Sequence, residues 1–222
     1  RGESHPDPLD AAKLATKYGA DSITIHLRED RRHINDSDVV KICKQKKIIV
    51  NLEISLNEKI LKIAIKNKPN YVCIVPENRN EVTTEGGLDL LKNFKKLKKT
   101  IHRLKKANIR ISLFINANIK NINISKDLGS NCVEFHTGKI SNLIKNGKKY
   151  KKEFDNIKKC SSFANKLDLQ VHAGHGLDYK TAQILNNISD IKEFNIGHFI
   201  IGESIFDGFK KVIKKFKRLS NN

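Results

Sequence analysis

Seven short apolar runs, each ending in polar residues able to do chemistry and each followed by a helix-like stretch, most tightly constrain how this chain can fold. The runs are Ser22–Leu27, Ile48–Ile54, Tyr71–Val75, Ile109–Ile115, Cys132–Phe135, Leu169–Val171 and Phe194–Ile196. At or just past their C-terminal ends stand His26 and Arg28, Glu53, Glu77, Asn116, His136, His175, and Gly197 with His198. Strand, polar tip and helix in repetition predict an α/β fold with a parallel sheet. In a (β/α)8 TIM barrel all such tips converge on one face, where the chemistry sits. The pattern thus predicts a fold and locates a site together.

Length and composition bound the functions open to the chain. Its 222 residues suit one α/β domain with a substantial core, so residues 1–222 are read as a single catalytic domain. No apolar stretch approaches the roughly 18–20 residues a membrane-spanning helix needs, and no secretory apolar segment opens the sequence. Cys43, Cys73, Cys132 and Cys160 form no C-x-x-C pair, and two of them fall inside strand runs, as small buried apolar residues. That usage favours a reducing, cytoplasmic setting over a disulfide framework or a thiolate zinc site.

The net charge is +19, and a basic patch is the electrostatic footprint of nucleic-acid binding. Here, however, the lysines are spread widely, with concentrations at Lys92–Lys106 and Lys139–Lys159. In the first of these Leu90, Leu91, Phe94, Leu97, Ile101 and Leu104 keep helical spacing while Lys fills most gaps, which reads as a solvated helix face. Aromatics are few, and no recognition motif interleaves them with the basic residues. The charge also suits attraction of phosphorylated small molecules. Nucleic-acid binding stays as an alternative whose signature would be steep salt dependence.

Along the chain, helices are expected at Asp7–Tyr18, from Asn35, over Leu56–Lys66, up to about Lys106, over Ala117–Leu128, through the basic stretch Ile140–Leu167, at Tyr179–Leu185 and over Ile201–Phe216. The polar segment Glu77–Gly87 is long enough to act as a lid.

Several residues carry both a functional and a structural reading. Glu53 lies in the apolar run Ile49-Val-Asn-Leu-Glu-Ile, where an unpaired carboxylate is costly. Period-two alternation sets Asn51 and Glu53 on one face, and burial would raise the carboxyl toward the range of a neutral-pH acid or base. His26 is either a structural strand histidine or part of a catalytic rim with Arg28. Glu134 and His136 are either a supporting pair at the site or a buried ion pair. His172-Ala-Gly-His175 permits a metal pair. Strand parity, however, sends the two rings to opposite faces, and the glycines around His175 suit a tight turn that presents the imidazole. Gly197-His198, just before a helix, could offer backbone N–H groups to a phosphate. The loop Arg28–His33 is either a solvated charge run or an anion site. Together these groups indicate acid/base chemistry without metal or cofactor on a phosphorylated small molecule.

The motifs go further. His26-Leu-Arg-Glu-Asp-Arg-Arg-His33, Asn51-Leu-Glu53, Val75-Pro-Glu77, Glu81-Val-Thr-Thr-Glu-Gly-Gly-Leu-Asp89, His136-Thr-Gly138, Ala173-Gly-His-Gly-Leu177 and Asn195-Ile-Gly-His198 resemble, in order and over essentially the whole chain, the pyridoxine 5′-phosphate synthase family. The resemblance implies a metal-free (β/α)8 barrel, cytoplasmic and homo-octameric, with no cofactor, no nucleic-acid partner and no membrane association. It implies condensation of 1-deoxy-D-xylulose 5-phosphate with 3-amino-2-oxopropyl phosphate to pyridoxine 5′-phosphate, phosphate and water. By position, His26 and Glu53 match the family's proton acceptors and His175 its proton donor. Arg28, His33 and Thr83 match residues holding the deoxyxylulose phosphate, and Gly176, Gly197, His198 and Arg1 the second substrate. The family begins with a strand that this chain starts after. A closed parallel barrel needs eight strands and seven are counted, so the first is expected upstream of Arg1. Another metal-free sugar-phosphate barrel, of aldolase or isomerase type, is the rival; a Schiff-base aldolase would need a Lys at a strand tip, and none of the seven has one.

Overall fold

The computed structural model describes residues 5–77 and 86–220. Among them seven strands, β1 (Ile23–His26), β2 (Val50–Ile54), β3 (Tyr71–Ile74), β4 (Arg110–Ile115), β5 (Cys132–His136), β6 (Gln170–Gly174) and β7 (Ile191–Asn195), pair in parallel in chain order. The helices are α1 (Pro8–Tyr18), α2 (Asp36–Cys43), α3 (Glu58–Asn67), α4 (Phe94–Lys106), α5 (Ile119–Leu128), α6 (Gly138–Lys145), α7 (Lys151–Lys166), α8 (Tyr179–Leu185), α9 (His198–Asp207) and α10 (Phe209–Ser220). The sheet curls far enough that its two ends meet through side chains: the Thr24 hydroxyl on β1 donates to Asn195 Oδ1 on β7 at 2.8 Å.

Alternation along the strands sorts the two faces of the sheet. Leu52, Ile54, Val72, Ile74, Ile111, Leu113, Val133, Phe135, Val171 and Ala173 belong to the main apolar core with Ile60, Leu97, Ile101, Leu104, Ile122, Ile144 and Leu185 of the helices. Each such large side chain, removed from water, contributes about 1.5–3 kcal/mol. The intervening residues, among them Asn51, Glu53, Cys73, Ser112, Glu134 and His172, turn to the concave interior, which is correspondingly polar.

Local signals set the helix ends. The Asp7 carboxylate accepts from the Leu9 and Asp10 N–H groups to start α1, and Asn35 closes a capping box with Asp38 to start α2. Two expected helices are each divided. Ile140–Leu167 breaks into α6 and α7 around Asn146-Gly147, where Gly147 takes φ 63°. The C-terminal helix breaks into α9 and α10 at Gly208, φ 78°. On α4, Lys95, Lys96, Lys98, Lys99, Lys105 and Lys106 are exposed while Leu97, Ile101 and Leu104 are buried, as its spacing predicts. Among the described residues no helix is long and apolar enough to cross a membrane, and all four cysteines are free thiols.

Candidate active site

Parallel register brings His26 and Glu53 side by side at the C-terminal ends of β1 and β2. His26 Nδ1 lies 3.6 Å from Glu53 Oε2. Burial, aided by the positive Arg28 and by His33, pushes the imidazole down to about 4, and burial pushes the Glu53 carboxyl up to about 7. Near neutral pH the two are therefore not an ion pair. The imidazole is neutral and Glu53 is the group poised to gain or lose a proton. Glu53 keeps 21% of its side-chain surface, and it lines the central cavity.

Beyond His26 the chain turns through the Arg28–His33 loop, which is folded by its own contacts. Arg31 takes φ 57°, its side chain reaching Asp36 and the Arg28 and Glu29 carbonyls. A hydrogen bond from Arg32 holds the Asp30 carboxyl down at about 2. Arg28 is buried, 4% exposed. Its Nε stands 3.6 Å from Asp30 and 3.9 Å from Glu77. Nε and Nη2 find no hydrogen-bond partner among the described residues. A buried guanidinium with unused donors has the chemistry to take an anion such as phosphate. His33 is exposed and lines the same cavity.

On the far wall, Glu134 is 1% exposed and accepts from Asn195 Nδ2 at 2.8 Å and from the Cys73 thiol at 3.6 Å. Burial, then the negative Glu53 and Glu193, pushes its carboxyl well above the ordinary range, against the two hydrogen bonds. Gly174 makes room for it: a Cβ there would sit 2.1 Å from Glu134 Oε1. His136 stacks on His175 with ring centroids 4.8 Å apart and meets Phe114 edge-on. Burial, with His175, pushes the His136 imidazole down to about 4. Glu134 and His136 thus make no ion pair with each other; each is held by different neighbours. Gly138 leaves space for both rings, since a Cβ would meet His136 at 2.8 Å and His175 at 3.1 Å.

The strand-parity reading of His172 and His175 needs correction. β6 runs to Gly174, so His172 is in register with Glu134 and faces the interior. His175 lies past the strand end at φ 78°, where the Thr137 hydroxyl stands 2.7 Å from the carbonyls of both Gly174 and His175. Parity cannot be carried across a strand end. His172 sits deeper, 1% exposed, edge-on to Tyr71 and 3.9 Å from Glu193. Among the described residues no group of three or more His, Cys, Asp or Glu is gathered as a metal-holding set.

One cavity of about 1720 Å³ is lined by His26, Arg28, His33, Glu53, Glu134, His175, Gly176, Gly197 and His198. Gly197 is the exposed cap residue of α9 with no side-chain cap, so the first N–H groups of that helix are open to a ligand. A smaller cavity of about 660 Å³ between α1 and α10 holds none of the candidate residues. Arg1, Thr83 and most of the Glu77–Gly87 segment lie outside the described residues. Glu77 and Asn195 acquire site contacts that the sequence reading did not assign. Glu77 stood at a strand tip and Asn195 within a quoted motif, but neither position told which partner it would meet.

A family profile described as pyridoxal phosphate biosynthesis protein PdxJ matches residues 1–222. The chain belongs to this family. It is 64% identical over 221 residues to the pyridoxine 5′-phosphate synthase of Pelagibacter ubique, covering 100% of this chain and 92% of the relative. It is 43% identical over 219 residues to the protein of the same name from Magnetococcus marinus, covering 99% and 90%. Among solved structures, 3-keto-L-gulonate-6-phosphate decarboxylase from Vibrio cholerae superposes with TM-score 0.67 at 12% identity, over 95% of this chain and 89% of that one. Thiamine phosphate pyrophosphorylase from Pyrococcus furiosus does so with TM-score 0.65 at 8% identity, over 97% and 90%. At such identities the likeness to these two enzymes speaks for the curled β/α architecture alone.

Proposed function

We propose that this PdxJ-family protein is a pyridoxine 5′-phosphate synthase. It condenses 1-deoxy-D-xylulose 5-phosphate with 3-amino-2-oxopropyl phosphate to pyridoxine 5′-phosphate, phosphate and water. It does so as one catalytic domain, by acid/base chemistry without metal or cofactor, in the cytoplasm as a homo-octamer. The observation that carries the reading is the meeting of His26, Glu53 and His175 in one cavity with Arg28 and the open start of α9, in a chain 64% identical to a relative of that name.

Imine formation, elimination and ring closure each move protons. His26 and Glu53 accept them from one wall, and His175 donates from another. Groups fixed on separate strands and at a strand end hold their distances while the intermediate changes shape. Arg28, with His33 and Thr83, takes the sugar phosphate. Gly176, Gly197 and His198, with Arg1, take the second phosphate. Glu134, on the cavity wall, and His136, against His175, support the site. The test is to incubate the purified protein with the two phosphates, together and singly, and to follow product by absorbance and mass. Pyridoxine 5′-phosphate formed only from both substrates supports the proposal; no product from both, at any pH between about 6 and about 9, overturns it.

A further inference from the structure

The carboxylate of Glu77 belongs to no step described above, yet it is among the most deeply placed charges near the site. Its side chain is 1% exposed. Pro76 ends the β3 run, and Glu77 then reaches across to β1. Its Oε1 accepts the Glu29 N–H at 2.8 Å and stands 3.9 Å from Arg28 Nε. Its Oε2 faces His26 Nε2 at 3.8 Å. Both of these last atoms are buried and have no hydrogen-bond partner among the described residues. The imidazole therefore stands between two carboxyls, Glu53 at Nδ1 and Glu77 at Nε2. The two sides differ in access: His26 and Glu53 line the large cavity, whereas Glu77 is not among its lining residues.

We propose that Glu77 is a positioning residue for His26: its carboxylate accepts the imidazole Nε2–H and leaves the Nδ1 lone pair facing the cavity beside Glu53. The inference rests on the reading of His26 as a proton acceptor. A neutral imidazole carries one N–H, and the nitrogen that bears it is fixed by the partner of the other side. An ionised carboxylate can only accept a hydrogen bond, so Glu77 selects the tautomer that has a free base where substrate arrives. Burial, with Glu29 and Asp30 adding to it, pushes the Glu77 carboxyl up, and the Glu29 N–H and Arg28 pull it back. The same carboxylate ties the turn that carries Arg28, and the Ser55 hydroxyl, donating to Glu29 at 2.8 Å, ties that turn to β2. The 3.8 Å separation is longer than a formed hydrogen bond, and catalytic hydrogen bonds are often this long without substrate and tighten in the Michaelis complex.

The experiment reads the tautomer directly. Protein labelled with nitrogen-15 at histidine gives ring nitrogen shifts by solid-state NMR, and the His26 signals are those missing from His26→Asn. The proposal expects a protonated Nε2 and a bare Nδ1 in the wild type near neutral pH. In Glu77→Gln the amide donates to Nε2 and moves the proton to Nδ1. Turnover then falls at least about tenfold, and up to about 10⁴, with KM for both substrates held within about twofold. Glu77→Asp, which keeps the charge, should restore the Nε2–H signal in part. A wild-type Nδ1–H tautomer overturns the proposal whether or not the Glu77 variants fold. So does an unchanged tautomer in Glu77→Gln with a raised KM for the sugar phosphate, the mark of a merely structural hold on Arg28. Full activity in His26→Asn would remove His26 from the mechanism while the tautomer measurement still decided what Glu77 does.

Discussion

Glu53 and His172 show how one polar interior sets different tasks. Burial pushes Glu53 up to about 7 while the neighbouring His26 is pushed down to about 4. A group acting as a base must be deprotonated, so raising the pH through about 7 turns Glu53 on, with His26 already neutral. We predict that kcat/KM climbs with pH on an apparent pKa near 7. A flat profile from about pH 5.5 to about pH 8 would remove Glu53 from the rate-limiting proton transfers. His172, 1% exposed, has neither ring nitrogen hydrogen-bonded among the described residues. Burial, with Arg110, pushes its imidazole down from 6.5 to about 4. The unfolded chain therefore binds the proton more readily, so this group's contribution is full above about pH 6.5 and is lost as pH falls toward about 4. Between about pH 7 and about pH 5 the loss is about 2 kcal/mol. Urea unfolding of His172→Gln at the two pH values should show a difference smaller than wild type by about that amount. Glu193, Tyr71 and Arg110 surround the ring in both cases, so an unchanged difference would mean that His172 is not the group titrating.

Helices and strands divide the labour, and the division was largely legible. The apolar spacing of α4 placed its lysines on the outer face, and they are exposed. Replacing Lys95, Lys96, Lys98, Lys99, Lys105 and Lys106 by Gln should leave turnover within a fewfold and stability within about 0.5 kcal/mol per site. A collapse of kcat with the fold retained would make this helix a partner or substrate surface. The capping box of α2 is equally local: Asn35→Ala should lower stability by about 1 kcal/mol, read as a lower urea midpoint, with no change in KM. The elements read correctly are those whose signals are short-range, such as the helix that starts from Asn35 and the strand runs before His26 and Glu53. The errors fall where a break depends on tertiary fit. Gly147 and Gly208 divide helices that periodicity alone joins, and the end of β6 at Gly174 decides where His175 points. The meeting of His136 with His175, and of Glu77 with His26, joins residues 39 and 51 positions apart, as 175 less 136 and 77 less 26 show. Only the register of the sheet supplies such contacts.

At the scale of the whole molecule, the parallel order β1 to β7 delivers every polar tip to one end. The curl then brings the first and last strands within a side-chain hydrogen bond, Thr24 to Asn195. From there contacts run on through Asn195 to Glu134 and from Glu134 to Cys73, so the concave interior is joined by hydrogen bonds across β1, β7, β5 and β3. This explains how a chain with so many buried polar groups keeps a defined site: the apolar core lies between sheet and helices, leaving the concave side for chemistry. If acid/base groups on these strand ends perform the condensation, the turnover of Glu53→Gln with both phosphates, beside its thermal melt, decides it. The amide keeps the shape but cannot take a proton, so kcat should fall by about 10²–10⁴ while the melting temperature stays within a few degrees of wild type. Near wild-type turnover in this variant would remove Glu53 from the chemistry of the condensation.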